Sequence, residues 1–140
     1  MTNDIMKQRK ELKMATEIGK FHFTQTNLTY MELTTGKITS VRSYKGTADG
    51  FGTPYGSLSQ TQSLADAGSN SGDCTWIAKT MLDDGTIIGD IAHGTWERIG
   101  QEARAAIKLN NNLSDGRKLR CEAILDHEID TFSGTIYSVD

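Results

Sequence analysis

Cysteine is scarce in this chain, present only as Cys74 and Cys121. Two thiols do not make the framework of a small secreted domain, and reduced thiols in the cytoplasm are expected. No apolar run approaches the roughly 18 residues that a membrane span needs. The N-terminus lacks the apolar core of a signal peptide. No basic stripe is present and the net charge is a mild −3. Neither nucleic acid nor a membrane is therefore an expected partner. No long helical pattern separates the apolar segments, which argues against βαβ crossovers. Proline occurs once, at Pro54, against fourteen glycines. Many glycines between short Thr- and Ile-rich runs indicate an all-β protein with tight turns.

Residues 1–17 are charged and rich in helix formers, as in MKQRKELKMATE. They are expected to form a short charged N-terminal tail, or a short helix capping one end of the domain. Residues 18–140 then form a single β-barrel domain. The period-two alternation starts after Gly19. Strands are predicted over Lys20 to Leu33, Ile38 to Gly46 and Tyr55 to Leu64, with two more within Cys74 to Arg98. Three further strands follow, over Glu102 to Asn111, Lys118 to Ile129 and Gly134 to Val139. Eight strands with short connections suffice for an antiparallel up-and-down barrel, which removes exposed sheet edges.

Two hairpins set the predicted register. Asp84-Gly85 reads as a two-residue type I′ loop, which places Asp83 opposite Thr86. Lys79 then lies opposite Asp90 on the outer face, and Trp76 opposite His93 on the inner one. That assignment separates Asp90 from His93. In the later hairpin, Ser114-Asp115-Gly116 reads as a three-residue loop with Gly116 in the left-handed region. It places Leu109 opposite Cys121, Ala105 opposite Leu125 and Ala103 opposite His127. Lys108 with Glu122 and Arg104 with Asp126 fall on the outer face. The first hairpin, with Thr35-Gly36 as its loop, puts Asn27 opposite Tyr44 inside the barrel, on the face of Phe21, Phe23 and Arg42. Ile77 opposite Ala92 and Met81 opposite Ile88 are expected outside, an apolar patch suited to a second subunit.

His93 is the leading catalytic candidate, because an inward histidine against an apolar wall can exchange protons near neutrality. Glu97, two pleats along the same face, could orient it, and His127 is a second inward histidine. Trp76, Tyr44, Phe23, Asn27, Cys121 and Leu125 are candidate ligand contacts, and Trp96 is a further pocket aromatic. Each has an ordinary structural reading as packed core or barrel-mouth polar group. The cysteines read as small buried hydrophobes rather than nucleophiles. The histidines and Glu97 follow no compact metal-site spacing, so no metal or cofactor is expected. The glycine-rich stretch Gly46 to Gly56 follows no phosphate-loop spacing. It reads as a flexible rim loop in which Phe51 and Tyr55 could act as a lid.

The runs SYKGTADGFGTPYGSLSQTQ, GDCTWIAKTMLDDGTIIGDIAHGTWE and DTFSGTIYSV resemble the calycin-type small barrels. The allene oxide cyclase barrel-like group is nearest in style, and lipocalins share the architecture. The resemblance covers about Gly19 to Val139 and implies an apolar cavity, often within a homo-oligomer such as a dimer or trimer. It aligns no catalytic motif. The expected function is a cofactor-independent isomerase, cyclase or lyase acting on a small apolar metabolite of terpenoid, epoxide or polyketide type. The alternatives are a lipocalin-like binding protein without chemistry and a filled structural barrel.

Overall fold

A computed structural model describes residues 15–139, so the expected tail or helix lies almost wholly outside the described residues. The described chain is a closed barrel of eight antiparallel strands in sequence order. The strands are β1 (Ala15–Met31), β2 (Lys37–Ala48), β3 (Tyr55–Ser63) and β4 (Ser71–Met81), then β5 (Ile87–Arg98), β6 (Arg104–Leu113), β7 (Lys118–Asp126) and β8 (Thr131–Val139). One 3-10 turn, Leu64–Asp66, follows β3. β1 pairs with both β2 and β8. No strand edge is left open, so the fold needs no helix to protect one.

Alternation builds the wall. In β6 the buried positions are Ala105, Ile107, Leu109, Asn111 and Leu113, with exposed or half-buried residues between them. β7 answers with Leu119, Cys121, Ala123 and Leu125. Their register is Leu109 to Cys121 and Ala105 to Leu125, as expected, and it places Arg104 across from Asp126. Arg104 nevertheless forms its ion pair with Glu102, at 2.6 Å. Phe132, Leu58, Ile107, Leu109 and Leu125 are the largest fully enclosed side chains. Each contributes about 1.5–3 kcal/mol through removal from water.

The β4–β5 hairpin departs from its predicted register by one residue. Met81 pairs with Ile87, Ala78 with Asp90, Trp76 with Ala92 and Thr75 with His93. The Leu82 N–H donates to the Thr86 carbonyl at 2.8 Å, and the Gly85 N–H to the Leu82 carbonyl at 2.9 Å. The loop is therefore Asp83-Asp84-Gly85, with Gly85 at φ 87°. It is the three-residue type, with glycine supplying the left-handed position. Asp84 Oδ1 accepts from the Thr86 N–H at 2.9 Å, which fixes the loop. Because side chains alternate, the single-residue slip turns all of β5 over. Ile88, Asp90 and Ala92 point inward, and Ile87, Ile91, His93 and Glu97 point outward.

β1 carries a second correction. Its register to β2 shifts between Gln25 and Asn27, a β-bulge at Thr26. Gln25 faces Tyr44 instead of Asn27, and Asn27 lies across from Ser43 on the outside. A bulge adds one unpaired residue and so reverses the facing of the strand beyond it.

Candidate functional site

Aromatic side chains fill the waist of the barrel. Phe23 stacks on Trp76 with ring centroids 5.4 Å apart and planes 7° from parallel. Phe132 meets Phe21 at 5.2 Å, Tyr44 at 5.5 Å and Trp76 at 5.5 Å. Above and below this layer the interior differs in character.

One end is apolar. Its cavity, about 70 Å³, is walled by Phe21, Phe23, Trp76, Leu109, Cys121 and Phe132. Its lining also includes polar residues, among them Asp90 from β5, Asn111 from β6 and Thr80 from β4. Asn111 is 4 % exposed, and its Nδ2 donates to Asp90 Oδ2 at 2.8 Å. Asp90 Oδ1 and Asn111 Oδ1 are buried and have no protein partner. Burial pushes the Asp90 carboxyl up to about 6, against the opposing pull of the Asn111 hydrogen bond. A carboxyl with that value is present in both protonation states near neutral pH.

A loop closes this end. The Phe51 ring is buried between Gly50 and Gly52, whose φ angles are 79° and 67°. The Thr80 hydroxyl donates to the Phe51 carbonyl. The Arg117 guanidinium lies over the ring, 5.0 Å from its centroid. Phe51 is thus buried at the end of the cavity, while Tyr55 is exposed on the outer wall.

The other end is polar and open. A pocket of about 420 Å³ is lined by Arg42, Gln60, Trp96, Arg98, Leu125 and His127, among others. Gln25 Oε1 accepts from Arg42 Nη1 at 3.3 Å and from the Tyr44 hydroxyl at 3.4 Å. Burial, above all, raises the Tyr44 pKa, so this phenol stays protonated. The His127 pKa is lowered, first by its packing against the mouth and then by Arg42, while Asp126 and Asp130 pull it upward.

The predicted site residues divide three ways. Phe23, Trp76 and Cys121 line the apolar cavity. Tyr44 belongs to the waist, and Leu125 and His127 line the polar pocket at the far end. His93, Glu97 and Asn27 are exposed on the outside of the barrel. His93 Nδ1 lies 3.4 Å from the Thr75 hydroxyl, away from any inner wall. The inward placement of His93 and Glu97 fails with the two-residue loop that generated it. The Lys79–Asp90 ion pair fails with it too, because Asp90 faces inward. Both cysteines sit among apolar neighbours. Burial pushes the Cys74 thiol up to about 11 and that of Cys121 up to about 12, so neither is a ready nucleophile.

Sequence reasoning missed Asp90 and Asn111. The signal was present. LDDGT and LSDGR share one pattern, and giving both the same loop brings Asp90 inside. The outer apolar patch shifts for the same reason. Ile77 pairs with Ile91 and Met81 with Ile87, and all four are exposed, whereas Ala92 and Ile88 are buried.

The fold and site together define a closed eight-stranded up-and-down barrel with one enclosed carboxyl in an apolar cavity. At the level of fold this is consistent with a calycin-like barrel. No family model, curated protein or solved structure matches the chain.

Proposed function

We propose that this protein is a cofactor-independent isomerase, cyclase or lyase for a small apolar molecule, with Asp90 as its acid–base group. The observation that carries this reading is the Asp90 carboxyl itself. It stands among aromatic and aliphatic walls, is oriented through one oxygen by Asn111, and keeps the other oxygen free. A proton-transfer isomerisation removes one proton and returns one. A single carboxyl cycling between its two states can do both, most efficiently when its pKa is near the working pH. The apolar wall excludes water and holds the substrate in one shape. The likeness to allene oxide cyclase barrel-like proteins supports the same reaction class.

The cavity limits the substrate. An apolar cavity of about 150 Å³ is enough for benzene, and this one is about half that volume at 70 Å³. A terpenoid or polyketide fragment enters only if Phe51 swings out on its two glycines. The exposed cluster of Ile77, Met81, Ile87 and Ile91 supports assembly with further copies of the chain.

A lipocalin-like binding role is the second reading. It is supported by the unpartnered oxygens of Asp90 and Asn111, which could anchor a ligand hydroxyl without chemistry. A panel of small epoxides and enones, with gas chromatography of the products, separates the two. Conversion by the native chain and its loss in Asp90→Asn, with binding retained, supports the enzyme. Quenching of tryptophan emission with no product supports the binding protein. No conversion and no quenching across the panel would overturn both.

A further inference from the structure

The polar mouth holds donors that no protein group satisfies. Arg42 Nε and Trp96 Nε1 are both buried and without a partner. They come from β2 and β5 and line one pocket. Arg42 has no carboxylate within ion-pair distance among the described residues; its guanidinium spends one N–H on the neutral Gln25 amide. Arg98 is held at the rim by the carbonyls of Glu102 and Gln101, at 2.9 and 2.7 Å, which orient its charge without cancelling it. Arg104, the third guanidinium of the lining, is paired with Glu102, the one carboxylate of the lining. Asp126 and Asp130 lie close enough to act on His127, yet neither reaches Arg42.

The indole is also given room. A side chain at Gly72 would put its Cβ 2.9 Å from Trp96 Nε1, so only glycine lets the indole pack against β4 at this point. Burying a polar donor without an acceptor costs free energy, and more so when the donor is charged. Two such donors belong to side chains that line one pocket, and its surplus of guanidinium over carboxylate is complementary to an oxyanion.

We propose that the polar mouth binds an oxyanion, a carboxylate or phosphate group of a small molecule, held by Arg42 and Trp96 with Arg98 and His127 at its rim. This site is separate from the Asp90 cavity, with the aromatic waist between them.

The test monitors the Trp96 indole N–H by ¹⁵N NMR in the full chain. Sodium benzoate and inorganic phosphate are the probes, each at constant ionic strength maintained with sodium chloride. A saturable shift of the Trp96 signal, half complete below about 1 mM, is expected for at least one probe. Whichever saturates first tells carboxylate from phosphate. Arg42→Gln weakens that binding by about tenfold or more, and Trp96→Phe does likewise when measured by calorimetry. Asp90→Asn leaves it unchanged, so failure here and failure of the proposed catalysis are distinguishable. If Arg42→Gln does not fold, Trp96→Phe decides alone. The proposal is overturned if neither probe saturates by about 10 mM, or if a folded variant binds as tightly as the native chain.

Discussion

At the apolar end, a mostly apolar cavity includes Asp90, Asn111 and Thr80 among its polar lining residues. At the polar end, four connections surround a wider pocket with three guanidiniums and a histidine. The same eight strands supply both. The difference shows how depth decides what a charge can do. Enclosed by Phe21, Trp76 and Leu109, a carboxyl is driven toward its neutral form. Near the mouth, Arg42 remains charged, because guanidinium does not give up its proton in a protein. The two proposals divide along this line, with chemistry assigned to one end and anion binding to the other.

The waist keeps these ends apart, and removing it has the largest expected effect. Phe132 is 1 % exposed and touches Phe21, Phe23, Tyr44 and Trp76. Phe132→Ala is expected to destabilise the barrel by about 3–5 kcal/mol, the usual cost of deleting a core aromatic. Urea unfolding measures it. A loss below about 1 kcal/mol would mean that the layer is loosely packed, and the contrast between the ends would lose its physical basis.

Asp90→Asn comes next and probes the apolar end alone. Folding raises the Asp90 pKa from its ordinary value of 3.8 to about 6. The folded state therefore holds the proton more tightly than the unfolded chain does. Stability falls as pH rises from about 4 to about 6, and above that the full cost of an ionised Asp90 is present. Replacing it with a neutral isostere is expected to stabilise the protein by about 1–2 kcal/mol at pH 8 and by almost nothing at pH 4. Thermal unfolding at the two pH values checks it. An equal effect at both would show that the carboxyl is not desolvated.

Most of the barrel is legible in the residues. Alternation in Ala105 to Leu113 and Leu119 to Leu125 has one solution that keeps apolar groups on one side, and the structure adopts it. The segments read as strands coincide closely with β2, β3 and β5 to β7. The illegible part turns on single residues. Either reading of LDDGT leaves β5 with isoleucines on both faces, since Ile87 and Ile91 lie outside while Ile88 and Ala92 lie inside. Apolar alternation thus gives no vote on the loop length, and the site goes with the wrong choice. The bulge at Thr26 leaves no composition signal at all, because bulges answer to barrel curvature more than to local preference. Asn27 is misplaced on that account.

That equivalence of the two loops is itself testable. Gly85 and Gly116 have φ of 87° and 93°, and a Cβ at either would meet nothing within 4 Å. Only the backbone conformation resists alanine. Gly85→Ala and Gly116→Ala are each expected to cost about 1–2 kcal/mol, the left-handed penalty of a residue with a Cβ, and to cost the same within error. A two-residue type I′ loop at Asp84-Gly85 would place both residues at φ > 0, so Asp84→Gly would then stabilise. With Asp84 in the right-handed part of a three-residue loop and its carboxylate capping Thr86, Asp84→Gly should destabilise instead.

The smallest expected effect concerns the closure over Asp90. Arg117 lies over the Phe51 ring and pairs with Asp115 at 2.8 Å. The Arg117 side chain is itself about half exposed, and Arg117→Gln is expected to cost only about 0.5–1 kcal/mol in stability. Its informative consequence is access. In a Trp96→Phe background Trp76 is the sole tryptophan, and it lines the cavity that Phe51 closes. Quenching of its emission by acrylamide should rise in Arg117→Gln if the guanidinium helps to hold Phe51 down. Unchanged quenching would place the restraint elsewhere, in the Thr80 hydroxyl that binds the Phe51 carbonyl. Thr80→Val, which keeps the shape and removes that donor, would then be the variant that opens the apolar end.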